Sequence, residues 1–487
     1  MKKLLWLFPC LFLIDNILGL NGYQFTIFGV GIRIILFALS MGVLCLYCLH
    51  ILIKQQFTLF KRVDDRPCLA AYWKPMDSCV MGFLLLNLVW ATVIPLLTGG
   101  NLTYAINDVS PILVMALYFP CVFLMRMGEF SFRQLRKWLM PLLLLLALWH
   151  TVMYIGEVNA PGFYASYYDL IDIISFGTAV RTDVVYGFGI TRVIQVTTIF
   201  LIPAMFLILE QFGKDRWYYG ILPLALVLFA ILITYTKSIW YGVLAGVLVA
   251  CAGLLIFLKD HKHKKQILCF GLVLLLLFCL FNFAFLHNTV ISRAKNSARP
   301  TPLEELDQQI NDLRNQLSTI PTEDPTDPTQ VTTPNKDVEK LQNQLNELTN
   351  QHKDAAGTAE ANAKRDEQRK ALLGKWSQSK WFGFGYGAYA ENCIRNDQFP
   401  YMYECLIPAL MMKFGILGML VWGLFVLALV FFTWKALWKK PLQFWCWIGT
   451  ALAFAMAVQT NPFLFTFAGF SLMTYLALYI TDPQEES

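Results

Sequence analysis

The stretch 401–434, YMYECLIPALMMKFGILGMLVWGLFVLALVFFTW, decides the fold class of this 487-residue chain. Almost every residue in it is apolar, and about 20 such residues let a helix cross the hydrocarbon core of a bilayer. The stretch is longer than one straight crossing needs. The sequence Lys413-Phe414-Gly415 marks the predicted break, and we expect the part before it to lie at, or re-enter, a membrane surface.

Similar apolar runs recur along the whole chain. It is 57% hydrophobic and only 15% charged, whereas soluble domains carry about 25% charged residues. The predicted spans are 4–20, 25–53, 79–97, 110–124, 139–155, 193–209, 218–234, 239–258, 267–286, 401–434, 444–458 and 463–480. The sequence therefore predicts an all-α polytopic integral membrane protein with about twelve transmembrane helices.

Lysine and arginine are concentrated in alternate connections between these spans. The clusters lie at 2–3, 54–74, 126–137, 214–216, 259–265 and 435–440. Cytoplasmic connections carry such an excess of basic residues, so the alternation predicts that both termini are cytoplasmic. Because the clusters are short and scattered, we interpret them as topology signals and expect no nucleic-acid partner.

Cysteine usage gives no sign of a disulfide framework or a metal site. Most of the 12 cysteines fall inside apolar spans, where cysteine behaves as a small hydrophobic residue. No zinc-ligand spacing is visible, and we expect neither a metal ion nor a cofactor. The first run contains Asp15-Asn16 and lacks a small-residue cleavage site, so we expect a retained helix there instead of a signal peptide.

The spans and clusters divide the chain into three parts. Residues 1–286 hold the predicted helices 1–9, residues 287–400 form a large extracytoplasmic loop, and residues 401–487 hold helices 10–12 with a cytoplasmic tail. The loop is the only connection long enough to form a subdomain.

The large loop carries a pattern typical of two helices packed together. Apolar residues recur at spacings of three and four, as in a coiled-coil seam. They are Leu303, Leu306, Ile310, Leu313 and Leu317, then Val338, Leu341, Leu345 and Leu348. Four prolines between 321 and 334 interrupt the pattern. The sequence predicts an antiparallel helical hairpin at about 301–370 with a proline-rich tip, acting either as a spacer or as an element that covers a site or holds a partner.

The run Gly383-Phe384-Gly385-Tyr386-Gly387 has the appearance of a nucleotide-binding loop. It lacks the flanking strand and helix of a dinucleotide fold, and it lies on the predicted extracytoplasmic side. We therefore interpret it as a tight aromatic re-entry of the chain towards the bilayer.

Five arginines lie at or near the predicted outer membrane face. They are Arg181, Arg192, Arg293, Arg369 and Arg395. Arg192 opens an apolar helix, where a charge is costly unless it pairs or faces a cavity. Guanidinium groups match phosphate oxygens, so these arginines are candidate ligands of a lipid diphosphate. The alternatives are snorkelling to the interface and pairing with Asp183 or Glu391.

Two further charged residues are candidates for function. Lys237 lies in a short predicted outer turn, where it either binds an anion or caps the preceding helix. Glu404 begins an apolar stretch and is a candidate general base. Its alternative role is a carboxylate placed favourably near a helix N-terminus.

This arrangement resembles the bacterial O-antigen ligase and Wzy-type polymerase superfamily. The resemblance rests on the span pattern, the arginine at the mouth of a helix after the fifth span, the Thr-x-Thr-Lys-Ser turn and the large loop near the C-terminus. The local match runs from Arg369-Lys370-Ala371-Leu372-Leu373 through Trp376 and the 383–387 run to 401–404 and Phe414-Gly415-Ile416-Leu417-Gly418.

The resemblance implies glycosyl transfer at the outer face of a bacterial cytoplasmic (inner) membrane. The donor is then an oligosaccharide on undecaprenyl diphosphate, and a chain-length regulator protein is a candidate partner. Arg192 and Arg369 are expected to grip the diphosphate in place of a metal ion, and Glu404 to deprotonate the acceptor hydroxyl. The expected substrate-binding residues are Arg181, Lys237, Arg293, Tyr386, Tyr389, Arg395, Tyr401 and Tyr403.

The sequence departs from the ligase pattern in one respect. Ligases of this superfamily use a histidine near the end of the large loop, but the corresponding segment here offers Tyr401, Tyr403 and Glu404. This favours a polymerase that joins lipid-linked repeat units. The alternatives are a ligase that transfers the glycan to lipid A–core, a non-enzymatic lipid or polysaccharide transporter, and a SEDS-type peptidoglycan polymerase.

Overall fold

The structure is a computed structural model, and almost every element that it describes is a helix. It describes residues 6–18, 26–27, 30–58, 68–163, 165–167, 169, 192–212, 217–286, 289–291, 302–319, 336–394 and 399–481. The predicted proline-rich tip of the hairpin and three of the candidate arginines, Arg181, Arg293 and Arg395, lie outside these residues.

Sixteen α-helices are numbered here in chain order within the described residues. Helices α1–α8 are Leu7–Leu18, Ile32–Lys54, Leu69–Tyr72, Pro75–Thr98, Leu102–Val109, Tyr118–Arg126, Phe132–Asn159 and Leu201–Phe212. Helices α9–α16 are Ile221–Leu232, Lys237–Phe257, His261–Leu280, Leu303–Thr319, Lys336–Trp376, Leu406–Leu437, Pro441–Ala457 and Phe467–Tyr479. The other elements are the 3-10 segments Ser110–Leu117, Val196–Phe200 and Trp217–Gly220, the π-helical turn Phe281–Phe285, and the antiparallel strand pair β1 (Thr26–Ile27) and β2 (Val30–Gly31).

Seven helical segments of the described chain are long and apolar enough to cross a membrane. They are Ile32–Lys54, Pro75–Thr98, Leu102–Arg126, Phe132–Asn159, Lys237–Phe257, His261–Phe285 and Leu406–Leu437. Five shorter apolar helices are Leu7–Leu18, Val196–Phe212, Tyr218–Leu232, Pro441–Ala457 and Phe467–Tyr479. The chain is therefore an all-α membrane protein, while twelve crossings remain a prediction.

The outward surfaces of these helices are strongly apolar. Leu222, Leu97 and Ile53 are 79%, 77% and 68% exposed, and many other large apolar side chains share this outward position. Contiguous apolar patches of this extent are rare on soluble monomers. A lipid environment removes the cost of exposing them.

Two ion pairs lie inside the helical bundle, among others that the described residues form. Arg33 contacts Asp15 at 2.9 Å, and Arg136 contacts Glu210 at 2.7 Å. Isolated charges within a bilayer are expensive, and pairing lowers that cost. The paired carboxylates and guanidinium groups therefore join helices of the bundle to one another.

Helices α10 and α15 pack closely through small residues. A Cβ atom on Gly246 would lie 2.4 Å from the carbonyl oxygen of Gly449, and one on Gly242 would lie 2.6 Å from that of Ala453. Small residues at such positions let transmembrane helices approach backbone to backbone. This contact fixes the C-terminal helices within the bundle.

The chain divides into two compact units, each of which is described separately. The first comprises Met1–Val184, Val193–Phe278 and Gln368–Ser487, and the second comprises Val185–Arg192 and Cys279–Glu367. The bundle and the residues that follow α13 belong to the first unit.

The second unit contains α12 and most of α13. His352 on α13 lies 3.0 Å from Asp307 on α12, and Leu306 and Ile310 of the predicted apolar seam are buried. Helix α13 continues to Trp376, beyond the predicted end of the hairpin at 370. The long second helix therefore leads directly into the segment that carries the arginine motif.

Candidate functional site

Helix α14 is broken at Gly415, where the sequence predicts a break. Gly415 has φ 60° and ψ −167°, which is not a helical conformation. A Cβ there would lie 2.5 Å from the carbonyl carbon of Trp381, so both the backbone conformation and the available space require glycine. The prediction of a break in the stretch 401–434 is confirmed.

Residues 380–387, here called the glycine loop, pack against this break. Loop N–H groups donate to α14 carbonyls, and N–H groups beyond the break donate to loop carbonyls. These bonds are Phe384 to Met412 (3.0 Å), Gly385 to Lys413 (2.8 Å), Ile416 to Lys380 (2.8 Å) and Leu417 to Trp381 (3.0 Å). Trp90 on α4 adds its indole N–H, which donates to the carbonyls of Phe382 and Phe414. The loop thus supplies hydrogen-bond partners for backbone groups of α14 that lack one where the helix is interrupted.

The three glycines of the loop are required by its path through the bundle. Gly383, Gly385 and Gly387 have φ values of 68°, 84° and 74°. A Cβ on Gly387 would lie 2.3 Å from the backbone nitrogen of Ala105 on α5. The Gly-x-Gly-x-Gly pattern therefore fits a close backbone approach between helices, while re-entry towards the bilayer stays a prediction.

A buried ion pair lies beside this loop. Lys413 Nζ is 2.5 Å from Asp108 Oδ2, and each side chain is 2% exposed. The N–H of Gly387 donates to the same carboxylate oxygen at 2.8 Å. Asp108 therefore joins α5, α14 and the glycine loop at one point.

Aromatic rings surround the ammonium group of this pair. Lys413 Nζ lies 4.7 Å from the ring centre of Phe465 and 5.6 Å from that of Tyr401. Rings at this distance stabilise a cation through their electron-rich faces. Tyr401, a predicted substrate-binding residue, is thus buried next to Lys413, and the ring of Tyr104 packs on it with ring centres 5.8 Å apart.

Tyr386 lies in the interior of the bundle. It is 1% exposed, and its hydroxyl donates to Asn87 Oδ1 at 2.7 Å. Burial and the nearby Asp108 carboxylate raise the pKa of Tyr386. The sequence predicts Tyr386 as a substrate-binding residue, and the structure places its side chain among buried residues of the bundle.

The last turns of α13, which carry the candidate arginine, contact the backbone at the candidate base. Gln368 is buried, and its side-chain oxygen accepts hydrogen bonds from the backbone N–H groups of Glu404 and Cys405, both at 3.1 Å. Arg369 follows Gln368 on the helix and is exposed, and Glu404 is half-buried. Gln368 therefore holds the start of α14 beside the arginine-bearing turn of α13.

Two further predicted tyrosines line the same region. Tyr403 is buried, and its hydroxyl oxygen accepts a hydrogen bond from the N–H of Ala390 at 2.6 Å. Burial raises the pKa of Tyr403 to about 12. Tyr389 is half-buried, and Lys375 Nζ donates to its carbonyl at 2.6 Å and lies 5.5 Å from its ring centre.

The other two predicted cations lie elsewhere in the chain. Arg192 belongs to the second unit, and it is half-buried. Lys237 is half-buried and is the first residue of α10, so it sits at the start of its own helix and not at the end of the preceding one. A cation at a helix N-terminus lies against the helix dipole. Arg181, Arg293 and Arg395 lie outside the described residues.

Several residues of this site were not selected from the sequence. Asp108 lies among the polar residues Asn107 and Ser110 before an apolar run, and its partner Lys413 lies 305 positions away. Gln368 and Asn87 are neutral residues whose role depends entirely on contacts across the bundle. The one available signal was Lys413 itself, a charge inside an apolar stretch, which by default indicates a functional or paired residue.

No protein-family model, no curated protein and no solved structure matches the chain.

Proposed function

We propose that the chain is a polymerase that joins glycan repeat units carried on a polyprenyl diphosphate, as a multi-pass protein of a bacterial inner membrane. The single observation that supports this proposal is the Gln368 contact: Gln368, the neighbour of Arg369 on α13, accepts hydrogen bonds from the N–H groups of Glu404 and Cys405. A cation for a leaving diphosphate and a carboxylate for an acceptor hydroxyl are the two groups that such a transfer needs.

In this proposal the reaction runs without a metal ion. The acceptor hydroxyl attacks the anomeric carbon of the donor sugar, and the bond from that carbon to the diphosphate oxygen breaks. Glu404 takes the hydroxyl proton, and Arg369 stabilises the negative charge that develops on the diphosphate. Arg192 is a second residue that is expected to bind the diphosphate, and its role is to be tested separately from that of Arg369.

The aromatic side chains fit the proposed substrate. Tyr104 and Tyr389 meet edge to face at 5.9 Å between ring centres, and both are half-buried. Half-exposed aromatic rings pair an apolar face with a polar edge, which suits the mixed character of a sugar ring. Buried Tyr403, whose pKa is raised to about 12, is not expected to act as the base at neutral pH.

The broken helix favours a second candidate function, a transporter of lipid-linked glycans. Discontinuous helices with charges at mid-membrane depth are typical of transporters. Both α14, at Gly415, and the span Leu102–Arg126, at Ser110–Leu117, depart from a regular α-helix. Against this candidate, the glycine loop occupies backbone groups at the Gly415 break that a transporter would offer to an ion.

The test uses the purified full-length protein in nanodiscs with short lipid-linked repeat units and a chelator. A ladder of longer lipid-linked glycans supports the polymerase. Transfer only when lipid A–core is added indicates the ligase instead. Movement of the lipid-linked unit across a vesicle membrane, with no change in its length, indicates the transporter.

A further inference from the structure

The turn between α10 and α11 and the turn between α14 and α15 lie side by side in the bundle. Phe257, the last residue of α10, meets Trp438, which directly follows α14, edge to face with ring centres 5.5 Å apart. It also stacks on Trp445 of α15, again with ring centres 5.5 Å apart. A Cβ on Gly253 would lie 2.1 Å from the Trp445 ring, so α10 and α15 pack closely beside these turns. Two connections that are distant in the sequence therefore meet around one aromatic cluster within the first unit.

Each of the two turns carries exposed lysines. Lys259 lies two positions after the end of α10, and Lys435 and Lys439 lie two positions before and after the end of α14. Among the residues that the structure describes, none of these three lysines forms an ion pair. Asp260, the one acidic residue of the α10–α11 turn, pairs with a histidine of α11 at 2.6 Å, and residues 431–443 contain no acidic residue. The aromatic cluster therefore lies among lysines that have no carboxylate partner in either turn.

The aromatic rings between these lysines are themselves partly exposed. Phe257 is 44% exposed, and Trp434 and Trp438 are each 49% exposed. Tryptophan is enriched where the hydrocarbon of a bilayer meets the headgroups, and lysines near helix ends extend their ammonium groups into the headgroup layer. The two turns thus present a ring surface for hydrocarbon and cations for a headgroup side by side.

The charge and the rings together indicate the partner. The alternation of basic clusters predicts that both turns are cytoplasmic, and basic pockets between transmembrane helices on that side bind anionic phospholipid headgroups. A soluble anion uses the lysines but leaves the rings without a partner. A phospholipid places its phosphate at the lysines and its first methylene groups on the rings. A zwitterionic headgroup gains less, because its own ammonium group offsets the charge of its phosphate.

We propose that the Phe257–Trp438 cluster, with Lys259, Lys435 and Lys439, binds one anionic phospholipid of the cytoplasmic leaflet. The lysines contact its phosphate, and the rings contact the part of its acyl chains next to the headgroup. This site shares no residue with the proposed transfer site, and it does not depend on the proposed function.

The test measures lipid dissociation constants by native mass spectrometry of the purified full-length protein in detergent. The probes are phosphatidylglycerol and phosphatidylethanolamine with identical acyl chains, and we expect the wild type to bind phosphatidylglycerol more tightly. Lys439→Gln should weaken phosphatidylglycerol binding about fivefold, since a basic residue near the membrane surface contributes attraction of that size. Lys54→Gln is the matched control, because Lys54 is an exposed cation at the end of α2, and it should bind both lipids as the wild type does. Because both lysines are exposed, the thermal unfolding midpoint should stay unchanged in both variants, which checks that they are folded.

Two further measurements test the part played by the rings. Trp438→Leu should weaken the binding of both lipids while keeping the preference for phosphatidylglycerol, and soluble glycerol 1-phosphate at the same concentration should not displace the bound lipid. Equal affinity of the wild type for the two lipids, or equal effects of Lys439→Gln and Lys54→Gln, would overturn the proposal. Wild-type affinity in Trp438→Leu, or displacement by glycerol 1-phosphate, would also overturn it, because the surface would then recognise a phosphate alone.

Discussion

Lys413 Nζ and Asp108 Oδ2 lie 2.5 Å apart in the interior of the bundle, with both side chains 2% exposed. Asp108 also accepts the N–H of Gly387, so one carboxylate connects the broken helix with the glycine loop. The pair therefore fixes α14 just before its break at Gly415 and holds the glycine loop beside it.

Lys413→Met should strongly destabilise the protein. Removing one partner of a buried ion pair leaves an uncompensated charge and costs about 3–5 kcal/mol. The double variant Asp108→Asn with Lys413→Met removes both charges and retains an oxygen for the Gly387 N–H. It should recover much of the loss in thermal unfolding midpoint. Equal destabilisation of the single and the double variant would show that charge compensation is not what holds this site together.

Gly387→Ala should prevent the glycine loop from packing. The added Cβ would lie 2.3 Å from the Ala105 nitrogen, at a residue with φ 74°. Gly374→Ala is the matched control, because no heavy atom lies within 4 Å of its Cβ and it lies inside α13. That control should be neutral or stabilising by up to about 1 kcal/mol. Similar unfolding midpoints for the two variants would contradict the packing described here.

Gln368→Leu should loosen the start of α14. The variant leaves the N–H groups of Glu404 and Cys405 without their acceptor, at a cost of about 1–3 kcal/mol. Gln368→Glu retains an acceptor and should resemble the wild type. Alkylation of Cys405, located by peptide mass spectrometry, measures the change and should be faster in the leucine variant alone. An unchanged alkylation rate in the leucine variant would rule out this positioning role.

The Tyr403 hydroxyl should make the free energy of unfolding fall more steeply as the pH rises into the alkaline range. Its pKa is raised to about 12 by burial, against 10.0 for the exposed group. Below about pH 10 the hydroxyl is neutral in both the folded and the unfolded protein, so its full contribution is present. As the pH rises from about 10 towards 12, only the unfolded protein ionises, and stability is lost. Unfolding measured at about pH 9 and pH 11 should show a larger loss in the wild type than in Tyr403→Phe; equal losses would contradict the burial of this hydroxyl.

The sequence predicts those features that depend on local chemistry. The break at Gly415 follows from an apolar stretch too long for one crossing, and the tight path of the chain at 383–387 follows from three closely spaced glycines. The all-α membrane class follows from apolar run length. Each of these inferences needs only neighbouring residues.

Features that depend on distant contacts were not predicted. The partner of Lys413 is 305 positions away, and the burial of Tyr386 cannot be read from its neighbours in the sequence. The predicted spans 218–234 and 444–458 correspond to the apolar helices Tyr218–Leu232 and Pro441–Ala457, whose ends differ by a few residues from the prediction. Burial and helix length both depend on how the bundle packs.

The most direct measurement compares the glycan ladders that Arg369→Ala and Lys370→Ala make in nanodiscs with short lipid-linked repeat units and a chelator. Each variant removes one exposed cation, and the two positions are adjacent on α13. Of these two residues, only Arg369 is proposed to bind the diphosphate. The proposal predicts a wild-type ladder for Lys370→Ala and, with folding intact, no ladder for Arg369→Ala. Ladders of equal length from both variants would contradict it.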